Sequence, residues 1–186
     1  MSWRPVWKDT NRQDGKPGPW RKVWKKIVPK APKRKYGARG TVGPAVRFTW
    51  SETECSDGTP VPVSLRGRVA AQARYLNQLR SKTAKHYGLK FSDVSINVNS
   101  WYRTPAYNTQ IGGAKNSQHV HARATDITVV INPPGRKPIL LTPRKVAELA
   151  ESVPAFRYGG IGWYDAAHGS FTHVDHRDGA ARWING

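Results

Sequence analysis

The chain has 186 residues, 38% of them hydrophobic and 23% charged, a composition that excludes a wholly disordered chain and a length that suits one domain of about 130 to 150 residues plus an appendage. No run of 18 apolar residues occurs, which excludes a transmembrane helix, and the single cysteine, Cys55, excludes an internal disulfide or a zinc site built on several thiolates. A formal charge of +19 points to an anionic partner such as nucleic acid, a membrane surface or a wall polymer, and 13 of the 31 basic residues but only 2 of the 12 acidic ones lie within residues 1–40.

Residues 1–45 contain Pro5, Pro17, Pro19, Pro29, Pro32 and Pro44 and no segment long enough to bury a face, so they read as an extended basic arm. Trp3, Trp7, Trp20 and Trp24 stand among its lysines and arginines. These rings either dock on protein, or form a basic and aromatic surface for nucleic acid, lipid headgroups or wall polymer. The first nine residues lack the apolar stretch of a secretory signal. Residues 46–186 form the second expected domain. Cys55 sits in its polar opening loop, without a histidine partner that would make it a nucleophile.

A helix is predicted from near Ser64 to Gly88, because Val69, Ala70, Ala73, Leu76 and Leu79 recur at three- and four-residue steps with Arg68, Arg74 and Arg80 between them. Val94, Ile96 and Val98 alternate with polar residues and predict a half-buried strand. A second strand is expected over Ala124 to Ile131. Thr142 and Pro143 supply the N-cap and first position of a helix reaching Val153. Tyr158 to Arg177 reads as short strands joined by a turn. Strands separated by helices of this size give a mixed α+β class.

Two segments mix imidazole with carboxylate: Ser117-Gln118-His119-Val120-His121-Ala122-Arg123-Ala124-Thr125-Asp126 and Phe171-Thr172-His173-Val174-Asp175-His176. Strand alternation sends Ile127, Val129 and Ile131 to the core and Asp126 to the opposite face. His119 reaches the same point as Asp126 only if the chain turns between them. In the second segment His173, Asp175 and Phe171 share one face, with Val174 and His176 on the other. A histidine beside a carboxylate suits a metal ligand next to a proton-transfer group, and a catalytic zinc site needs three such ligands and one open position.

These segments, with Ser100-Trp101-Tyr102-Arg103-Thr104-Pro105-Ala106-Tyr107-Asn108, Gly112-Gly113-Ala114, Gly159-Gly160-Ile161-Gly162 and Ala181-Arg182-Trp183, resemble in order the zinc D-alanyl-D-alanine carboxypeptidase family. The resemblance implies an α+β fold with a small antiparallel sheet, flanking helices and a zinc site on the sheet. It implies hydrolysis of a peptide bond in peptidoglycan stem peptides, as a D,D-carboxypeptidase or an L-alanyl-D-glutamate endopeptidase. His119, Asp126 and His173 would hold Zn2+, Arg103 would steady the oxyanion, and Ser117 and Tyr102 would bind substrate. Ala122 stands where the family has glycine. Ser170 stands where many members have the acidic base, so Asp175 becomes the candidate base or else a partner that orients an imidazole, with Asp165 beside His168 as a rival. Several relatives are bacteriophage lysins. The resemblance therefore extends to a virion or phage-infected host cell as the setting, with the arm contacting virion or tail proteins or, less in keeping with it, nucleic acid. A structural tail protein on a peptidase scaffold is the alternative.

Overall fold

The computed structural model describes residues 2–9, 20–27, 40–43 and 47–185. The chain divides into two compact units, residues 1–33 and 34–186. In the first, β1 (Ser2–Asp9) and β2 (Trp20–Ile27) pair antiparallel, Ser2 opposite Ile27 and Asp9 opposite Trp20. The sequence reading places no regular element in this arm. Aromatic and β-branched residues such as Trp3, Val6, Trp7, Val23 and Trp24 favour strands, and pairing two such segments satisfies their backbone groups.

The second unit is built from α1 (Trp50–Thr53), α2 (Arg66–His86), β3 (Val94–Ser100), α3 (Pro105–Gln110), β4 (Ala124–Ile131), β5 (Ile139–Leu140), α4 (Pro143–Ala150), α5 (Pro154–Arg157), β6 (Gly160–Tyr164), β7 (Phe171–Asp175) and β8 (Ala181–Asn185). Its sheet runs β3-β4-β7-β6-β8, with β5 also pairing to β4. All pairings are antiparallel except β6 with β8, which run parallel and so depart from the all-antiparallel expectation. No helix among the described residues is long and apolar enough to cross a membrane.

The predicted apolar stripe of α2 is the buried one: Val69, Ala73, Leu76 and Leu79 are completely enclosed. Arg80, expected on the polar flank, is buried instead, its guanidinium 5.4 Å from the ring centre of Phe48 and 5.2 Å from that of Phe91, where the two π faces offset part of its lost hydration. Thr142 caps α4, its hydroxyl accepting from the Lys145 amide at 3.3 Å. Both α2 and α4 pack on one face of the sheet, against Val94 and Ile96 of β3 and Ile127 and Val129 of β4. Burying each of these side chains contributes about 1.5–3 kcal/mol. Gln72 of α2 anchors this face through the Thr125 hydroxyl at 2.9 Å and the Val174 carbonyl at 3.0 Å.

On the opposite face one transverse row positions the site. Ser100 pairs with Asp126, Asp126 with His173, His173 with Gly162, and Gly162 with Trp183. Paired residues project to the same side of a sheet, so these five belong to one face. Ser100 reaches it because the register shifts between Val98 and Ser100, an irregularity that re-aims the end of the strand. The glycine is required: a Cβ at Gly162 would lie 2.2 Å from the Trp183 ring. Gly162→Ala is expected to lower stability by about 1–3 kcal/mol through overpacking, read as a fall in the denaturation midpoint with unchanged slope.

Candidate metal centre

His119 enters the row from a turn rather than a strand. The chain reverses over residues 117–122, with Ala122 amide donating to the His119 carbonyl at 3.0 Å. Ala122 itself has φ 54° and is fully buried. A left-handed alanine costs about 1–2 kcal/mol, and this strained residue sits where the resemblance has glycine. The turn lets His119 and Asp126, an odd number of residues apart, meet at one point.

Within this point His119 Nε2, Asp126 Oδ1 and His173 Nδ1 converge. The separations are 3.2 Å from His119 to Asp126, 3.2 Å between the two imidazoles and 2.9 Å from His173 to Asp126. The outer nitrogens fix the tautomers. His119 Nδ1 lies 2.6 Å from the Trp101 carbonyl, which can only accept, so Nδ1 carries the hydrogen. His173 Nε2 lies 3.0 Å from Asp175 Oδ2 and donates to it. In their neutral forms both imidazoles therefore turn a lone pair toward the Asp126 carboxylate. Three acceptor atoms facing one another in a buried place call for a cation between them, and two histidines with one carboxylate are a donor set suited to zinc. These three residues form a buried group able to hold a metal ion.

The three groups are tightly linked: burial would lower the His173 imidazole, but its hydrogen bonds to Asp126 and Asp175 outweigh burial and raise it. Burial would raise the Asp126 carboxyl, but His119 and His173 outweigh it and hold the group well below the usual carboxylate range. Burial lowers the His119 imidazole, keeping it neutral and available as a ligand. The second oxygen of Asp126 accepts from the Arg103 guanidinium, whose Nε also donates to Ser100 Oγ at 2.9 Å. Arg103 thus stands beside the three donors with its position fixed from two sides.

An open cleft of about 450 Å³ exposes this group. Arg103, Ser117, His119, Asp126 and His173 line it together with Gly112 and Gly113. Tyr164, Phe171 and Trp183 form an aromatic wall: the first two rings stack at 4.3 Å, and Trp183 Nε1 donates to the Tyr164 hydroxyl at 2.8 Å.

Not every residue selected from the sequence lies here. Tyr102 is buried in the core and does not line the cleft; its neighbour Arg103 is the one that faces the site, and successive residues of an extended chain point to opposite sides. Asp175 is fully buried behind His173, also away from the cleft wall. Its oxygens accept from His173, from the Gly160 amide at 3.0 Å and from the backbone and guanidinium of Arg177. Burial would raise this carboxyl, yet these donors hold it far below the ordinary range. Of the two roles considered for Asp175, base or imidazole partner, it makes the contacts of the second. Asp165 and His168 pair with each other at 2.7 Å in an exposed turn and do not join the three donors. His121 is exposed, and His176 projects to the other side of the sheet.

Three contributors escaped the sequence reading: the Trp101 carbonyl, Ser100 and Arg177. A backbone carbonyl leaves no residue-type signal. Ser100 is hidden by the register shift, whereas Arg177, two residues beyond Asp175, could have been noticed as a neighbouring countercharge.

A family model described as Peptidase M15 matches residues 48–175, more than half of the chain. No curated protein matches the chain.

Proposed function

Because the chain belongs to the peptidase M15 family and is a metallopeptidase, we propose that it hydrolyses a peptide bond in the stem peptides of peptidoglycan, with zinc held by His119, Asp126 and His173. The observation that carries this reading is the meeting of His119 Nε2, His173 Nδ1 and Asp126 Oδ1 within 3.2 Å of one another in a buried place. Zinc in such a site supplies Lewis-acid polarisation of a carbonyl and a bound water of lowered pKa.

The chain's own groups do the rest. Trp101 and Asp175 fix the two imidazoles in the tautomers that present their inner nitrogens, the usual work of outer partners at a metal site. Arg103, steadied by Ser100, places a cation at the cleft where negative charge develops on the carbonyl oxygen under attack. Ser117 lies on the same wall and is placed to bind the peptide backbone. Asp175 is a positioning residue in this scheme, acting through His173. The aromatic wall of Tyr164, Phe171 and Trp183 gives the substrate an apolar side against which to lie.

Metal analysis of the purified chain, followed by assay of D-alanine and of new amino groups released from purified wall, tests the proposal. Zinc at about one per chain is expected, with hydrolysis lost on chelation and restored by zinc. Release of D-alanine separates the carboxypeptidase from the endopeptidase. Bound zinc without any cleavage would instead favour a scaffold that has kept its metal and lost its activity.

A further inference from the structure

A second cleft, of about 660 Å³, lies beside α2 and the exit of β7. It contains none of the three convergent donors. Arg68 from α2, Arg123 from the turn before β4, and Arg177 after β7 line it, with Tyr75, Tyr158 and His176. Three guanidiniums from three separate segments thus meet at one concavity. Only Arg177 is strongly engaged, by Asp175. Arg123 has a 3.3 Å pair with Asp178, which is almost wholly exposed, and Arg68 makes one long bond of 3.4 Å to the His121 carbonyl. Such solvent-facing contacts are weak and are readily exchanged for a ligand oxyanion, which guanidinium forks bind in pairs of hydrogen bonds.

We propose that this cleft binds a phosphodiester group of an anionic wall polymer, alongside the peptide cleft. The inference rests on the peptidoglycan reading above. Arg177 lines both clefts, so a polymer held in the second lies next to a peptide held in the first. Tyr75 already packs edge-on against Phe156 at 6.1 Å and His176 at 5.5 Å, and the Arg157 guanidinium lies 6.0 Å over the Tyr158 ring. Single-stranded nucleic acid binders offer ring faces on which bases stack; Tyr75 is engaged edge-on but Tyr158 is 68% exposed. It is therefore the adjacency of the peptide cleft that selects the wall polymer as the occupant. Burial and the nearby Arg123 hold His176 down at about 4, so it is neutral, with Nδ1 donating to Gln72 Oε1 at 2.8 Å. Its other nitrogen is an acceptor for a polyol hydroxyl.

The test is isothermal titration of the full chain, at fixed ionic strength, with a glycerol-phosphate oligomer and with a single-stranded oligonucleotide of equal charge. The double variant Arg68→Gln, Arg123→Gln is expected to lose about tenfold or more in affinity for the oligomer, each arginine contributing a charge-assisted contact. The salt dependence of its binding becomes shallower, while hydrolysis of a soluble stem peptide stays at the parental rate. Charge reversal by Arg68→Glu alone, at a half-exposed site, provides a second variant with the same expected loss. Unchanged affinity in both variants overturns the proposal and assigns binding to cationic residues elsewhere. Tighter binding of the oligonucleotide through the same arginines overturns it in favour of nucleic acid. A parental chain that binds the oligomer through these arginines yet cleaves no stem peptide supports the cleft and counts against the peptidase reading alone.

Discussion

Asp126→Ala is expected to remove zinc binding and peptide hydrolysis together. Asp126 is the anionic member of the three donors, and its two oxygens serve different neighbours: one faces His119 and His173, the other accepts from Arg103. Without it, two neutral imidazoles 3.2 Å apart stand beside an unpaired guanidinium, a place that repels a divalent cation. The loss in metal affinity should exceed the roughly 10- to 100-fold that outer partners of metal ligands are worth. Zinc per chain by mass spectrometry, with circular dichroism to verify the fold, reads the outcome. Full zinc occupancy in this variant would place the metal elsewhere and end the assignment of His119, Asp126 and His173.

Asp175→Ala should destabilise the protein and is the second large effect. The carboxylate is fully buried and receives His173, the Gly160 amide and Arg177. Removing one partner of a buried ion pair costs about 3–5 kcal/mol. Arg177 is part-exposed and can turn to water, which brings the expected loss to about 2–4 kcal/mol. Asp175→Asn keeps an acceptor oxygen and the shape of the side chain. It should retain most of the stability and still bind zinc, while metal affinity or turnover falls about 10- to 100-fold because His173 loses its charged partner. Denaturant unfolding and zinc titration of both variants separate the effects. An Asp175→Asn chain with parental turnover and affinity would show that the carboxylate positions nothing.

The same two residues show what was legible beforehand. Alternation along Ala124–Ile131 puts Asp126 opposite Ile127 and Val129, and burial alternates from Ile127 to Ile131, whereas Ala124 to Ile127 are all buried because both faces are covered there. Alternation from Phe171 places His173 and Asp175 side by side, and they touch at 3.0 Å. Thr142 with Pro143 marks the start of α4. The α2 stripe predicts its buried face but not the burial of Arg80, since the rings of Phe48 and Phe91 come from distant segments. Tyr102 illustrates the other kind of miss: proximity in sequence to Arg103 carries no information about which of two adjacent side chains faces the cleft.

By itself the sequence determined the mixed α+β class and the main elements of residues 64–177, because strand and helix periods are local properties, while the three candidate donors were singled out by the resemblance of their motifs to a family. Tertiary structure decided the rest. Register across five strands aligned Ser100, Asp126, His173, Gly162 and Trp183 in one row, a turn through the left-handed Ala122 delivered His119, and the Gly160 amide and Arg177 engaged the oxygens of the buried Asp175. Each of these depends on which distant backbone lies alongside, and that choice is made by burial over the whole sheet rather than by any short stretch of chain.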